Sequence, residues 1–280
     1  MRYRFLGTAA SEGVPALFCD CPLCREIRRR GPGPDWRTRA GSLIDEDILI
    51  DLSPDLTAQV WRNSVDLRKL RHVLITHDHC DHFCPDFLEF RRDQYRAESP
   101  LEEKLTVYGD TQVAAHLRSA DERNGGKVHQ TVAMHVLKPF DCVELDEKTR
   151  VWALPAQHDP EIGCYLYLIQ RGEHTVLYGH DTGSLPQETL RAIAQLGLVL
   201  DLVTLDCTNG LADRSGSHMG LPQAIQAREQ LRQQGSIHAH TRVILTHLCH
   251  QNGSVCHDEM VRAAGPLGFE VAYDGMMIEL

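Results

Sequence analysis

No uninterrupted apolar run of membrane-spanning length occurs in the 280 residues, and the opening "MRYRFLGTAASEG" lacks the apolar core of a secretory leader. The expectation is a cytoplasmic protein without a membrane partner. An excess of basic residues is missing too: 29 Lys and Arg stand against 39 Asp and Glu, a formal net charge of −10. A broad electrostatic grip on nucleic acid or an anionic lipid surface needs clustered Lys and Arg, so neither partner is expected. Small or locally steered substrates fit better, and bound cations would add positive charge that the formal count omits. Internal repeats, low-complexity tracts and linker-like segments are also absent. One domain over residues 1–280 is expected.

Cysteine is not scarce, with ten in the chain, three of them in "CDCPLC". In a cytosolic chain of this size thiols and metal ligands are expected rather than disulfides. Short apolar runs recur as strand candidates: "YRFLG", "DILIDL", "HVLITH", "LTVYG", "RVWALPA", "CYLYLI", "TVLYG", "LVTLDC", "RVILTH" and "FEVAYDGMMIEL". Amphipathic stretches at 54–63, 84–96, 111–121, 186–196, 221–233 and 255–264 read as helices, many with Pro or Asp near the start. "LIQRGEHTVLYG" reads as a hairpin turning at Arg171-Gly172, and "FEVAYDGMMIEL" as another turning at Asp274-Gly275. Thr8 to Arg39, rich in Gly, Pro and Arg, reads as a long loop that needs its own staple. The plan is layered α/β or α+β.

Residues 76–82 read "THDHCDH", three histidines and two aspartates directly after an apolar run. Imidazole and carboxylate suit zinc, manganese or iron, and the alternation lets His77 and His79 face one way while Asp81 and His82 face another. Other predicted strands also end in ligand-type residues: His158 after "VWALPAQ", Asp181 after "TVLYGH" and His247 after "RVILT". Taken together, His77, His79 and His158 would hold one divalent ion and Asp81, His82 and His247 a second. Asp181 would bridge them, because a carboxylate has two oxygens to share and the neighbouring His180 has no equivalent.

In their order, "THDHCDH", "QH", "GHDTG" and "LTHLCH" resemble the ligand series of the metallo-β-lactamase superfamily. Together with "CDCPLC", "GHDTGSLPQETL", "VILTHLCHQ" and "GFEVAYDGMMIEL", they resemble its PhnP-type cyclic phosphodiesterases along nearly the whole chain. The resemblance implies an α+β fold, an αββα four-layer sandwich with two divalent ions, zinc or manganese. It also implies a small phosphorylated substrate and a homodimer.

Cys19, Cys21 and Cys24 form CxCxxC, which lets three thiolates meet one tetrahedral zinc that lacks a fourth ligand. His250, three residues beyond His247, is the choice for that place, with Cys249, Cys256 and His257 as rivals. The resemblance implies the same structural zinc, separate from the catalytic pair. Such an ion would staple the loop at about 8–40, which buries too little apolar surface to order itself.

A water shared by two divalent ions becomes a hydroxide nucleophile near neutral pH, so hydrolysis is the expected reaction. The departing oxygen then needs a proton or positive charge opposite the metals. His218 in "GSHMG" is the candidate, and the resemblance implies that it contacts the substrate phosphate; otherwise it is an exposed loop histidine. Asp81 is counted with it as catalytic. Asp51 either orients a metal-ligating histidine or caps the helix after "SPDL". Arg28, Arg29 and Arg30 read as a solvated face. The leading function is a phosphodiesterase that opens a small cyclic phosphate by attack of a metal-bridging hydroxide. A tRNA 3′-processing ribonuclease would need a basic arm that is missing here. Thioester or lactone hydrolysis runs on the same scaffold, and a non-enzymatic carrier like PqqB is the reading from another class.

Overall fold

Strands of two to seven residues build the molecule, and a computed structural model describes residues 1–96 and 103–280. One sheet takes β1 (Arg2–Gly7), β2 (Gly41–Ile44), β3 (Ile48–Ile50), β4 (His72–Leu74), β5 (Leu105–Gly109) and β6 (Val132–Val136) side by side in chain order. A second takes β7 (Cys142–Asp146), β8 (Thr149–Pro155), β9 (Tyr165–Arg171), β10 (His174–Gly179), β11 (Leu202–Asp206), β12 (Arg242–Thr246) and β13 (Glu270–Val271), again in chain order. The last strand, β14 (Met277–Glu279), returns to the first sheet outside β1. From β3 to β6 and from β10 to β13 the strands are parallel, so their carboxyl ends open at one edge of each sheet.

Continuous apolar runs make strands that are covered on both faces. In β9, Tyr165, Tyr167 and Ile169 enter the core between the sheets, where Tyr3, Phe5, Ile48, Ile50 and Ile244 meet them. Leu166 and Leu168, on the other face, pack under α4 (Gln187–Leu196), α5 (Leu221–Gln233) and α6 (His257–Ala264). The first sheet repeats the pattern with Leu6, Leu49 and Val73 under α2 (Leu56–Asn63) and α3 (Thr111–Arg123). Helices outside two face-to-face sheets give the αββα sandwich of the metallo-β-lactamase type.

Three features depart from the sequence reading. "FEVAYDGMMIEL" is not a hairpin: β13 pairs with β12 and β14 with β1, so the segment crosses between sheets. The turn at Asp274-Gly275 is present, closed by Met276 N on the Tyr273 carbonyl with Gly275 at φ 91°, while the Asp274 carboxylate accepts from Thr8 Oγ1 at 2.8 Å and Thr38 N at 2.7 Å. In the β9–β10 hairpin Arg171 pairs with His174, which puts the turn at Gly172-Glu173, with Gly172 at φ 61°. Residues 84–96 form 3-10 turns, Pro85–Arg91 and Asp93–Tyr95, not an α-helix. The connector is pinned at both ends, by Cys84 N on Leu52 O and by Arg92 on Asn124 O, and short pinned connectors favour the tighter turn.

The loop from Thr8 to Arg39 contains α1 (Pro22–Arg30), with Cys21 as N-cap, Pro22 in its first turn and Gly31 at its end. Its arginines are tied down. Arg29 and Arg30 pair with Glu26, and Arg28 donates to the carbonyls of Cys19 and Ala16. Ala9, Val14, Ile27 and Cys256 form a small apolar cluster beneath.

Tyr167, fully buried, donates its hydroxyl to the carbonyl of Ile75 at 2.6 Å, where β4 leads into residues 76–82. Replacing Tyr167 by Phe leaves that buried carbonyl without this partner. A loss of about 1–3 kcal/mol is expected, read as a lower urea midpoint with an unchanged m-value.

Candidate metal centres

Strand ends deliver the polar residues, and the backbone turns sharply to aim them. Asp51, Asp181 and His247 follow β3, β10 and β12 with φ of 62°, 53° and 59°, a left-handed conformation uncommon outside glycine. Such strain clusters where a fold needs particular side-chain directions. All three side chains are buried.

His77, His79, His158 and Asp181 form one group, with one ligand atom from each lying within 4.8 Å of the others. His77 Nε2 is 2.9 Å from His79 Nδ1, which is 3.2 Å from His158 Nε2. Zinc–nitrogen bonds of about 2.0–2.1 Å in a tetrahedral site put ligand nitrogens about 3.3 Å apart. These nitrogens fit a shared ion. His77 Nδ1 lies 3.0 Å from Thr76 Oγ1, whose hydroxyl donates to Asp51, so its Nε2 is turned inward. Asp159 Oδ2 sits 3.4 Å from His79 Nε2 and leaves Nδ1 for the group. Burial, with the neighbouring imidazoles of His82, His158 and His79, lowers the proton affinity of His77 well below the ordinary imidazole and frees its lone pair.

Asp81, His82, Asp181 and His247 form the second group under the same 4.8 Å limit. His82 Nδ1 is 2.7 Å from Asp51 Oδ2, which also accepts from the Tyr178 hydroxyl. That settles Asp51: it orients His82 and Thr76 and does not cap α2, whose N-cap is Asp55. Thr208 Oγ1 lies 2.8 Å from His247 Nδ1. His82 Nε2, His247 Nε2 and Asp181 Oδ1 are then buried polar atoms with no hydrogen-bond partner among the described residues. Groups left this way are costly unless a ligand completes them, and a cation does.

Asp181 is common to both groups. Its two oxygens lie 3.0–3.8 Å from nitrogens of His77, His82, His158, His218 and His247. Burial opposes its charge, but His247, His218, His82 and His77 outweigh that and hold the carboxyl well below its usual range. Burial likewise opposes a charge on His82, yet Asp51, Asp81 and Asp181 lift its proton affinity well above normal. The field at His82 Nε2 favours a positive charge, whether proton or metal. His180 joins no group among the described residues; its ring packs tilted against Tyr178 with ring centres 3.7 Å apart.

His218 comes to the same edge, its Nδ1 3.0 Å from Asp181 and 3.2 Å from Asp206. Its loop is seated by close backbone approach, since a Cβ on Gly183 would collide with the Gly216 carbonyl. The sequence reading missed Asp206 and Thr208. Asp206, fully buried at the end of β11, accepts from Thr208 N, Thr208 Oγ1 and Met219 N. A ligand-type residue ending a strand was the available signal, as at His77 and His247.

Cys19, Cys21, Cys24 and His250 converge away from this edge, with ligand atoms within 4.8 Å of one another. Cys21 Sγ is 3.7 Å from His250 Nδ1. The rivals go elsewhere: Cys249 Sγ faces the Thr208 carbonyl at 2.9 Å, Cys256 packs in the small cluster, and His257 Nδ1 meets Arg37 at 3.0 Å. Burial would raise the Cys21 thiol, but the Cys24 N–H and His250 bring it down to about 6. Burial and the neighbouring thiolates push Cys24 up to about 11. A bound cation relieves that repulsion.

The profile of a family described as a β-lactamase superfamily domain matches residues 46–248. Coenzyme PQQ synthesis protein B of Acinetobacter baumannii is 24% identical over the full length of both chains. An octanoyltransferase of Porphyromonas gingivalis is 43% identical over 86 residues, but they amount to 29% of this chain and 16% of that protein. Among solved structures, a diphosphatase from the PhnP family superposes with a TM-score of 0.75 at 23% identity, covering 100% of this chain and 97% of the other.

Asp51→Asn should weaken metal binding about 10- to 100-fold, measured by competition with a chromogenic chelator, because an amide cannot hold His82 and Thr76 together as the carboxylate does. Cys21→Ser should remove one zinc equivalent by mass spectrometry and open residues 8–40 to limited proteolysis, while the ions at the other edge stay bound.

Proposed function

Because the chain belongs to the β-lactamase superfamily, we propose that it is a metal-dependent hydrolase, and specifically a phosphodiesterase that opens a small cyclic phosphate. The observation that carries this reading is Asp181, one buried carboxylate shared by two histidine groups. His77, His79 and His158 would hold one ion, and Asp81, His82 and His247 the other. Zinc or manganese suits both. Two such ions supply an acidified water and neutralise charge on a phosphate. The diphosphatase name of the superposed structure supports a reaction at phosphorus.

The chain's own residues orient and protonate. Asp206 holds His218 by Nδ1 and leaves the second ring nitrogen for a substrate oxygen. Burial alone would lower its proton affinity, but Asp181 and Asp206 raise the pKa to about 10, and with Asp181 committed to ions Asp206 is the carboxylate that would keep the proton on His218. A protonated donor at the leaving oxygen is what an alkoxide leaving group needs. Gly183 and Gly216 let the His218 loop lie against the Asp181 turn.

One observation favours a second reading, a non-enzymatic PqqB-like carrier: the match to coenzyme PQQ synthesis protein B spans both chains end to end. Turnover separates the two. With ions restored, a ribose cyclic phosphate should be hydrolysed faster than a thioester or a lactone. A preference for either of those, or no hydrolysis of any phosphodiester, contradicts the proposal. His218→Ala should lower kcat/KM about 10²-fold or more on the cyclic ribose phosphate. The same variant should lose far less on bis(p-nitrophenyl) phosphate, whose leaving group needs no proton.

A further inference from the structure

The two histidine groups are braced from different parts of the fold. In the second, His82 hangs on Asp51 after β3, and His247 on Thr208 after β11. In the first, three imidazoles arrive on two chain segments: residues 76–79 carry His77 and His79, and residues 156–164 carry His158. Both segments are fastened to the amino-terminal half of α3. Asp110, its N-cap, accepts from Gln112 N and Val113 N through Oδ1, and its Oδ2 accepts from Gly163 N at 3.2 Å. The contact is tight, since a Cβ on Gly163 would come 2.6 Å from that oxygen. Gln112 donates to the Glu161 carbonyl at 3.2 Å. About one turn on, His116 Nδ1 lies 2.7 Å from Oδ1 of Asp78, the residue between His77 and His79, and Phe83 packs edge-on against the His116 ring.

None of these α3 residues belongs to a ligand group. We infer that α3 is a brace for one ion only, with Asp110 and His116 as positioning residues that set the spacing of His77 and His79 against His158. With His79 Nδ1 2.9 Å from His77 and 3.2 Å from His158, the group has little tolerance for a shift of one segment against the other. His82 and His247 are held instead by Asp51 and Thr208, and among the described residues α3 reaches their side through the packing of Phe83 on His116 and not through a hydrogen bond to either ring. Losing the brace should therefore lower affinity at one position of the pair and leave the other near its native value.

This inference rests on the metal-centre reading above. The test uses full-length protein crystals soaked in limiting Zn²⁺, with anomalous scattering giving the occupancy at each position. In His116→Ala and in Asp110→Asn, which keeps the helix cap through Oδ1 but puts an amide against Gly163 N, occupancy at His77/His79/His158 should fall at least fivefold relative to Asp81/His82/His247. His116→Asn, whose amide can still donate to Asp78 from about the same position, should restore it. Thermal midpoints in excess chelator should stay together across the set, which separates a brace from a general loss of stability. Equal losses at both positions, or no loss in either variant, would overturn the brace and leave the metal reading intact. A wild-type protein without zinc at either position would overturn both.

Discussion

A single carboxylate, Asp181, sits where the ends of strands from both sheets converge on five imidazoles. Buried charge of this density is unfavourable by itself: Asp51, Asp81, Asp181 and Asp206 are all withdrawn from water within one edge of the sandwich. Carboxylates removed from solvent need partners of opposite charge with good geometry, or they become protonated. The imidazoles meet part of that need. Among the described residues, ring nitrogens at His82 and His247 lack a hydrogen-bond partner and face the same carboxylate, and the proposed cations would meet the rest. The αββα layers make this tolerable because both sheets open their parallel carboxyl ends at one edge, so ligands from distant parts of the chain arrive on rigid strands.

The cysteine group is tied to that edge through the turn after β12. His247 faces the first constellation and His250 the second, three residues apart. Leu248, between them, exchanges backbone hydrogen bonds with the base of the long loop, donating to Thr8 O and accepting from Ala10 N. The loop's own apolar cluster is small, so this short bridge, with the proposed zinc staple, would hold it. Arg37 adds a buried tie, donating to Thr8 Oγ1 and to the Ala272 carbonyl. The first loop and the final crossover are thereby bound to the same turn.

Much of this was legible in the sequence because ligand chemistry is local. "THDHCDH" declares its residue types in seven positions, and His158, Asp181 and His247 each follow an apolar run that can only be a strand. What failed was whatever depended on distant partners. Asp274-Gly275 makes the turn its composition signals, but nothing nearby reveals that β13 and β14 on either side of it join different sheets. Strands β2, β6 and β7 were overlooked, since "GSLI" is short and the edge strands β6 and β7 carry exposed, mixed residues. Helix α1 was hidden by flanking Gly and Pro, although Pro22 and Gly31 are its start and stop signals. Asp206 escaped because its role appears only when His218 and His247 fold against it.

The bridging role of Asp181 is tested most directly by counting metal in the zinc-reconstituted protein and its Asp181→Asn variant by mass spectrometry. The account predicts three equivalents in the native chain and one in the variant, the survivor being the ion held by the cysteines. An Asp181→Asn protein that keeps two or three equivalents would contradict it.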